Sequence, residues 1–160
     1  MPTRSALLVL AAVIAGGCAG AAGPVGQTQN PATTEVTDAR PSGSTCNLVM
    51  AAEMSSIWGV QMAAVPDTDN GCTWAASTGL PSMDMRWDPT DLVTARSLLG
   101  NDADVNVAGS SGVIGNLLGV ALYVNRGSFD LVIQTVLLED TPENRQKVVA
   151  TAEHALSRVP

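Results

Sequence analysis

The spacing of hydrophobic and polar positions changes several times along residues 46–160, and each change predicts an element. Apolar residues at helical spacing predict a helix over 47–58 that ends at Gly59. A loop follows, with a strong turn signal at 66–71. Strands are predicted at 72–77 and at 83–88, where Met83, Met85 and Trp87 alternate with charged residues.

The second half of this region contains two helix-start patterns. Asp88 stands before Pro89, and Asp91 supplies an acid for the first turn, so a helix is predicted from there to Gly100. Thr141-Pro142-Glu143 predicts the start of a last helix by the same combination of cap and proline. Strands are predicted between the two helices at 104–108, 112–114, 120–125 and 129–138, with hairpin turns at 109–112 and 125–128.

This order of elements predicts an α+β fold. Tight hairpins favour a largely antiparallel sheet of about five or six strands, and helices must cover an apolar face of such a sheet. We therefore expect a single two-layer domain over 46–160, with the helices packed on one face. The chain has only three Trp, one Tyr and one Phe, so the core must be built mainly from aliphatic residues.

The first eighteen residues have the layout of a secretory signal peptide. Arg4 precedes the apolar run 5–14, and Ala15-Gly16-Gly17 leads directly into Cys18. The run is about ten residues long, whereas a membrane-spanning helix needs about twenty. We predict that residues 1–17 are a signal peptide and that Cys18 is the lipidation site of a bacterial lipobox.

A lipidated Cys18 fixes the expected location of the protein. Its thiol would carry diacylglycerol, and palmitate would complete an anchor on the outer face of the cell membrane, in the cell envelope. Ala15 departs from the Leu that bacterial lipoboxes usually carry at this position. The alternative is an ordinary signal cut after Ala21, which would discard Cys18 and release a secreted domain.

Composition describes the next segment and excludes some partners. Residues 18–45 are rich in small and polar residues without apolar periodicity, which predicts a lipidated cysteine followed by a flexible tether. Removing 1–17 takes away Arg4, so seven Lys and Arg face fifteen Asp and Glu, and the net charge changes from −7 to −8. This charge disfavours nucleic acid and anionic lipid head groups, so the membrane partner is reached through the acyl chains.

Two cysteines remain in the folded region. In an exported chain Cys46 and Cys72 predict one disulfide, and two free buried thiols are the alternative.

Several short motifs now resemble one family. Besides the lipobox and the tether, these are Cys46-Asn-Leu, Gly71-Cys72-Thr-Trp74 and the segment from Asp104 to Ile114. Together they resemble the small mycobacterial and actinobacterial Lpr/Lpp-type lipoproteins, a family of unknown function. The resemblance implies a surface-anchored α+β domain with a Cys46–Cys72 bridge and no catalytic residues. Ala15 departs from the pattern, as does the lack of a third domain cysteine that some relatives have.

The sequence contains no set of residues typical of catalysis or of metal binding. His154 is the only histidine, and no Gly-x-Ser-x-Gly is present, so a helical surface position is expected for it. Asp67 to Gly71 resembles the start of a calcium loop, but the glycine comes one position early and Thr78 stands where a ligating Glu is needed. The methionines have the spacing of buried faces rather than of a copper site. We expect no metal and no cofactor.

Three functions are consistent with this sequence. We favour a non-catalytic binding or accessory module whose cleft takes an envelope lipid, a small apolar ligand or a protein partner. Trp58, Trp74 and Trp87 are candidates to line such a cleft, and core packing is the alternative role for each. The other functions are a structural or sensory partner of another envelope protein, and an envelope hydrolase with an unrecognised site.

Overall fold

The computed structural model describes residues 40–67 and 69–159. The predicted signal peptide, Cys18 and most of the predicted tether lie outside these residues. A short 3-10 turn at Thr45–Asn47 precedes the helices and strands. The elements are α1 Ala51–Trp58, β1 Met62–Pro66, β2 Cys72–Ala76, β3 Ser82–Asp88, α2 Leu92–Leu98, β4 Gly100–Val107, β5 Ser110–Asn116, β6 Val120–Asn125, β7 Asp130–Val136 and α3 Pro142–Leu156.

The predicted α+β class is confirmed, but the strand number is not. Within the described residues the sheet has seven strands in the order β1-β2-β3-β7-β6-β5-β4, and every pair is antiparallel. The additional strand is β1, where the sequence predicted a loop. Met62 pairs with Ala76 and Pro66 with Cys72. Because β1 lies at the edge and four of its five residues are exposed, its sequence has no alternating pattern to reveal it.

One face of the sheet carries the main core. Helices α1 and α3 pack on this face, and α3 buries Val148, Ala152 and Ala155 completely. None of the described helices is both long enough and apolar enough to cross a membrane. The sheet residues in this core are mostly Met, Val, Leu and Ile, such as Met83, Met85, Leu122, Leu131 and Ile133, as the composition predicted.

The opposite face carries a second, smaller core, which corrects the expectation that all helices lie on one face. Helix α2 covers Tyr123 and Val132, whose side chains point away from those of Leu122 and Ile133. Ala95 of α2 is fully buried there. The apolar residues of β6 and β7 on both faces require this, because each face needs its own cover. The molecule is therefore three-layered where α2 lies.

The start of α2 also differs from the prediction. The helix begins after Asp91, whose carboxylate accepts a hydrogen bond from the Thr94 amide at 2.7 Å. Asp88 instead ends β3 and accepts from the amide of Thr90 at 3.0 Å, which makes a turn. Both aspartates are good caps by sequence, but pairing of Asp88 with Asp130 in the sheet removes it from the helix. The cap at Thr141 is confirmed.

A disulfide joins the turn at Thr45–Asn47 to the first residue of β2. Cys46 and Cys72 are bonded, with their Cα atoms 4.9 Å apart, which confirms the predicted pair. Beside this bond the Thr45 hydroxyl donates to the Met85 carbonyl at 2.6 Å. The first turn is thereby fixed to β2 and β3 before α1 begins.

Candidate functional site

Two grooves lie on opposite faces of the β4–β5 hairpin. The groove beside α3, here the α3 groove, has a volume of about 480 Å³. The groove beside α2, here the α2 groove, has a volume of about 500 Å³. The α3 groove is lined by Ala103, Asp104, Val105, Ile114, Arg145, Gln146, Val149, Ala150 and Glu153. The α2 groove is lined by Leu92, Val93, Arg96, Asp104, Val105, Asn106, Ser111, Gly112 and Val113.

The α3 groove has an apolar floor and a polar mouth. Val105 and Ile114 of the sheet face Val149 across it, and Gln146 and Glu153 are exposed at its opening. Arg145 lies at one end, where its Nε and Nη2 atoms donate to the two carboxylate oxygens of Asp140 at 2.6 and 2.8 Å. These hydrogen bonds lower the pKa of Asp140. The guanidinium charge is therefore already balanced, and the groove offers no free cation to an anionic head group.

The α2 groove is more polar than the α3 groove, and the guanidinium of its Arg96 is also paired with carboxylates. Arg96 contacts the carboxylates of Asp102 and Asp104, and its hydrogen bond to Asp104 raises the pKa of the guanidinium. Ser111 and Asn106 add polar groups to the lining. The lining of the α2 groove is therefore more polar than that of the α3 groove.

The three tryptophans do not reach either groove. Trp58, Trp74 and Trp87 are 5%, 1% and 4% exposed and belong to the main core. The indole nitrogen of Trp58 donates to the Thr151 hydroxyl at 3.2 Å, which joins α1 to α3. All three side chains point to the face that α1 and α3 cover, so the alternative role of core packing describes their positions.

His154 lies at the surface near the end of α3. Its Nδ1 is 3.6 Å from Oε1 of Glu53, and the Arg158 guanidinium contacts the same oxygen at 2.7 Å. The neighbouring Ser157 hydroxyl donates to the His154 carbonyl rather than to its ring. These contacts join the C-terminal end of α3 to Glu53 of α1. The Ser157 hydroxyl is not directed at the His154 imidazole, so the two do not form a catalytic pair.

The candidate metal ligands of the sequence do not come together in the part of the chain that the structure describes. Among the described residues no group of three or more His, Cys, Asp or Glu is arranged to hold a metal ion. Met54, Met62, Met83 and Met85 are buried in the core, whereas Met50 is exposed. Cys18 lies outside the described residues.

Sequence reasoning did not find the residues of the α3 groove. Val105, Ile114 and Val149 look like ordinary buried positions in the sequence. The signal that was present is the polar character of β4, whose first five residues are all exposed. This polar edge strand forms one side of the α3 groove.

A buried carboxyl group lies near the N-terminal end of α2. Asp130 is 1% exposed, and its Oδ1 accepts from the Asn125 amide at 3.1 Å. Its Oδ2 has no hydrogen-bond partner among the described residues. Burial raises the pKa of Asp130, and the nearby carboxylates of Asp88 and Asp91 raise it further.

We expect Asp130→Asn to stabilise the protein at neutral pH. A carboxyl whose folded-state pKa is raised loses stabilising free energy as the pH rises from about 4, its unfolded value, through the folded value. The amide cannot ionise, so the variant should be about 1 kcal/mol more stable at pH 7 and show no gain below pH 4. Thermal unfolding between pH 3.5 and 7.5 measures this, and a variant less stable than wild type at pH 7 would contradict it.

Comparisons with known proteins give no relatives. No protein-family model matches the chain, no curated protein is significantly similar to it, and no solved structure matches it.

Proposed function

We propose that this protein is a membrane-anchored lipoprotein of the cell envelope, similar to the Lpr/Lpp-type lipoproteins, and that its domain is a non-catalytic binding module. The anchor rests on the signal-like residues 1–17 and on Cys18. The Cys46–Cys72 disulfide supports export, because such bonds form in oxidising compartments. Acyl chains supply the attachment that a protein of net charge −7 would not obtain from anionic lipids.

The observation that carries the binding role is the α3 groove. Its volume of about 480 Å³ falls within the range of about 300–1,000 Å³ that is typical of small-molecule sites. An apolar floor formed by Val105, Ile114 and Val149 suits an alkyl chain.

The polar residues at the mouth of the α3 groove limit the kinds of ligand head group that it can bind. Asp140 neutralises Arg145, so a phosphate or carboxylate finds no unpaired cation there. Gln146 and Glu153 instead offer an amide and a carboxylate, which suit hydroxyl groups. We therefore propose an amphiphile with an uncharged, hydroxyl-bearing head group, such as a glycolipid.

A substitution that fills the α3 groove tests this function. Ala150 is partly buried at the groove wall, and Ala150→Phe should occupy the space that an alkyl chain needs. We expect the dissociation constant for an alkyl glucoside, measured by calorimetry below its micelle concentration, to rise about tenfold or more, a loss of about 1.4 kcal/mol per tenfold.

The matched control is Ala52→Phe. Ala52 is an exposed alanine of α1, outside both grooves, so the same substitution there should leave binding unchanged. Equal binding by wild type and Ala150→Phe would refute the α3 groove as the site, and absence of binding by wild type would refute this ligand class.

A further inference from the structure

The segments at one end of the sheet contain no charged residue, although Asp102 and Glu139 directly adjoin them and the Arg145 guanidinium donates to the Asn101 carbonyl there at 2.7 Å. Five segments lie there because each precedes or follows a strand at the same end of the antiparallel sheet: 59–61, 77–82, 97–101, 116–119 and 136–138, here called the apolar end. None of them contains Asp, Glu, Lys, Arg or His. Of the nine exposed large hydrophobic residues in the described chain, six belong to it, namely Val60, Leu80, Leu98, Leu118, Val136 and Leu137.

The other end of the sheet is charged. Its loops 67–71, 88–91 and 125–130 together contain five aspartates and one arginine. Arg40, the first described residue, also lies there, because its guanidinium donates to the Asp69 carbonyl at 2.6 Å. The domain is therefore polarised along its strands, with most of the loop charge at one end and exposed leucines at the other.

Two of the leucines adopt a backbone conformation that leucine disfavours. Leu118 has φ +57° and Leu137 has φ +54°, and their side chains are 76% and 77% exposed. The Leu137 amide donates to the Leu118 carbonyl at 2.9 Å, so the two residues are neighbours. Asn or Gly fits left-handed backbone better, and an exposed leucine gains little from packing. The stability of the fold therefore gives no reason to have leucine rather than Asn or Gly at positions 118 and 137. Backbone strain of this kind is typical of functional surfaces.

The leucines form a row across the end of the sheet. Leu80 lies in the β2–β3 hairpin, Leu137 follows β7, Leu118 lies in the β5–β6 hairpin and Leu98 ends α2. Neighbouring strands are about 4.8 Å apart, so the row crosses several strand spacings. A row that crosses most of the width of the sheet suits a broad lipid surface better than a narrow protein recess.

We infer that the apolar end inserts into the interfacial layer of an uncharged bilayer. The excess of acidic residues keeps most of the domain away from anionic lipids. At the apolar end the adjoining Asp102 and Asp140 are paired with Arg96 and Arg145, so this end approaches a bilayer at the lowest electrostatic cost. Leucine side chains gain free energy when they leave water for acyl chains. Exposed apolar patches of this kind mark interaction surfaces.

This inference rests on the proposed anchor at Cys18 for its geometry. The chain reaches the domain at the charged end, so the apolar end faces the same membrane only if the linking segment is long enough. Residues 18–39 span at most about 70 Å at about 3.3 Å per residue. The seven-residue strands β3 and β7 are about 23 Å long by the same measure. The linking segment is long enough for the domain to turn its apolar end to the bilayer that holds its anchor.

Hydrogen exchange of the full-length protein with phosphatidylcholine vesicles tests the inference. We expect amides of 116–119 and 136–138 to exchange at least fivefold more slowly with vesicles than without, and amides of the opposite turn at 108–109 to be unchanged. The double variant Leu118→Asn/Leu137→Asn should lose this protection without a lower melting temperature, because Asn tolerates left-handed backbone. Val93→Gln is the matched control, since Val93 is 81% exposed on α2 and lies outside the apolar end.

Each alternative result of the vesicle experiment would refute a different proposal. A protein that floats with the vesicles without protection of the apolar end would refute insertion and leave the anchor in place. A protein that neither floats nor carries acyl mass at Cys18 would refute the anchor. Protection that appears without vesicles and grows with protein concentration would show that a second copy covers this end, and would also refute insertion.

Discussion

Replacing Cys46 and Cys72 together by alanine is expected to lower the free energy of unfolding by about 3.5 kcal/mol. The bond closes a loop with a sequence separation of 26 residues, and the chain-entropy estimate for a loop of that length gives this value. It also fixes the turn at Thr45–Asn47 to the sheet, where the Thr45 hydroxyl contacts the Met85 carbonyl. For a domain of this size the melting temperature should fall by about 14 °C.

Reduction of the wild type provides the control for this variant. A reductant should lower the melting temperature of the wild type by a similar amount and leave that of the double alanine variant unchanged. A wild type whose unfolding does not respond to full reduction, verified by thiol titration, would contradict the proposed contribution of the bond.

The sequence allowed prediction of those elements whose signals are local. The cap at Thr141 with Pro142 placed α3 correctly, because a proline at the first helical position and an oxygen before it leave few alternatives. The strands at 120–125 and 130–136 followed from their apolar runs and from the turn between them. The disulfide followed from having two cysteines in a folded region that the signal-like N-terminus predicts to be exported.

Features that depend on the neighbours of a strand were not predictable. β1 has no alternation of its own and exists because β2 offers it a partner. The position of α2 on the opposite face depends on Tyr123 and Val132, whose direction is set by the register of β6 and β7. The same applies to Asp88, which is a good helix cap by sequence but is held in the sheet beside Asp130.

The candidate site was the least predictable part for the same reason. The tryptophans were candidates because their side chains are large, but each lies on the face of its strand or helix that points into the core. The α3 groove lies between α3 and the β4–β5 hairpin, and no single residue of its lining signals a groove in the sequence. The apolar end could not be predicted either, since its exposed leucines and valines are scattered over five segments of the sequence and come together only in the folded sheet.

The turn that presents Leu118 contains the glycine with the tightest surroundings. A Cβ atom at Gly119 would lie 2.5 Å from the Thr135 carbonyl oxygen and 2.8 Å from its hydroxyl oxygen. Thr135 is fully buried, and its hydroxyl donates to the Val120 carbonyl at 2.9 Å, so it cannot move aside without losing that bond. Only glycine allows β6 and β7 to approach this closely beside the leucines.

We therefore expect Gly119→Ala to lower the free energy of unfolding by about 3 kcal/mol, which combines overpacking against backbone with strain. Gly127→Ala is the matched control, because Gly127 has φ +83° and open space around its Cβ position, so only the conformational cost of about 1 kcal/mol applies. Urea unfolding of both variants measures the difference, which isolates the contact with Thr135. Equal losses in the two variants would contradict the contact of a Cβ atom at position 119 with Thr135 as the cause of the larger effect.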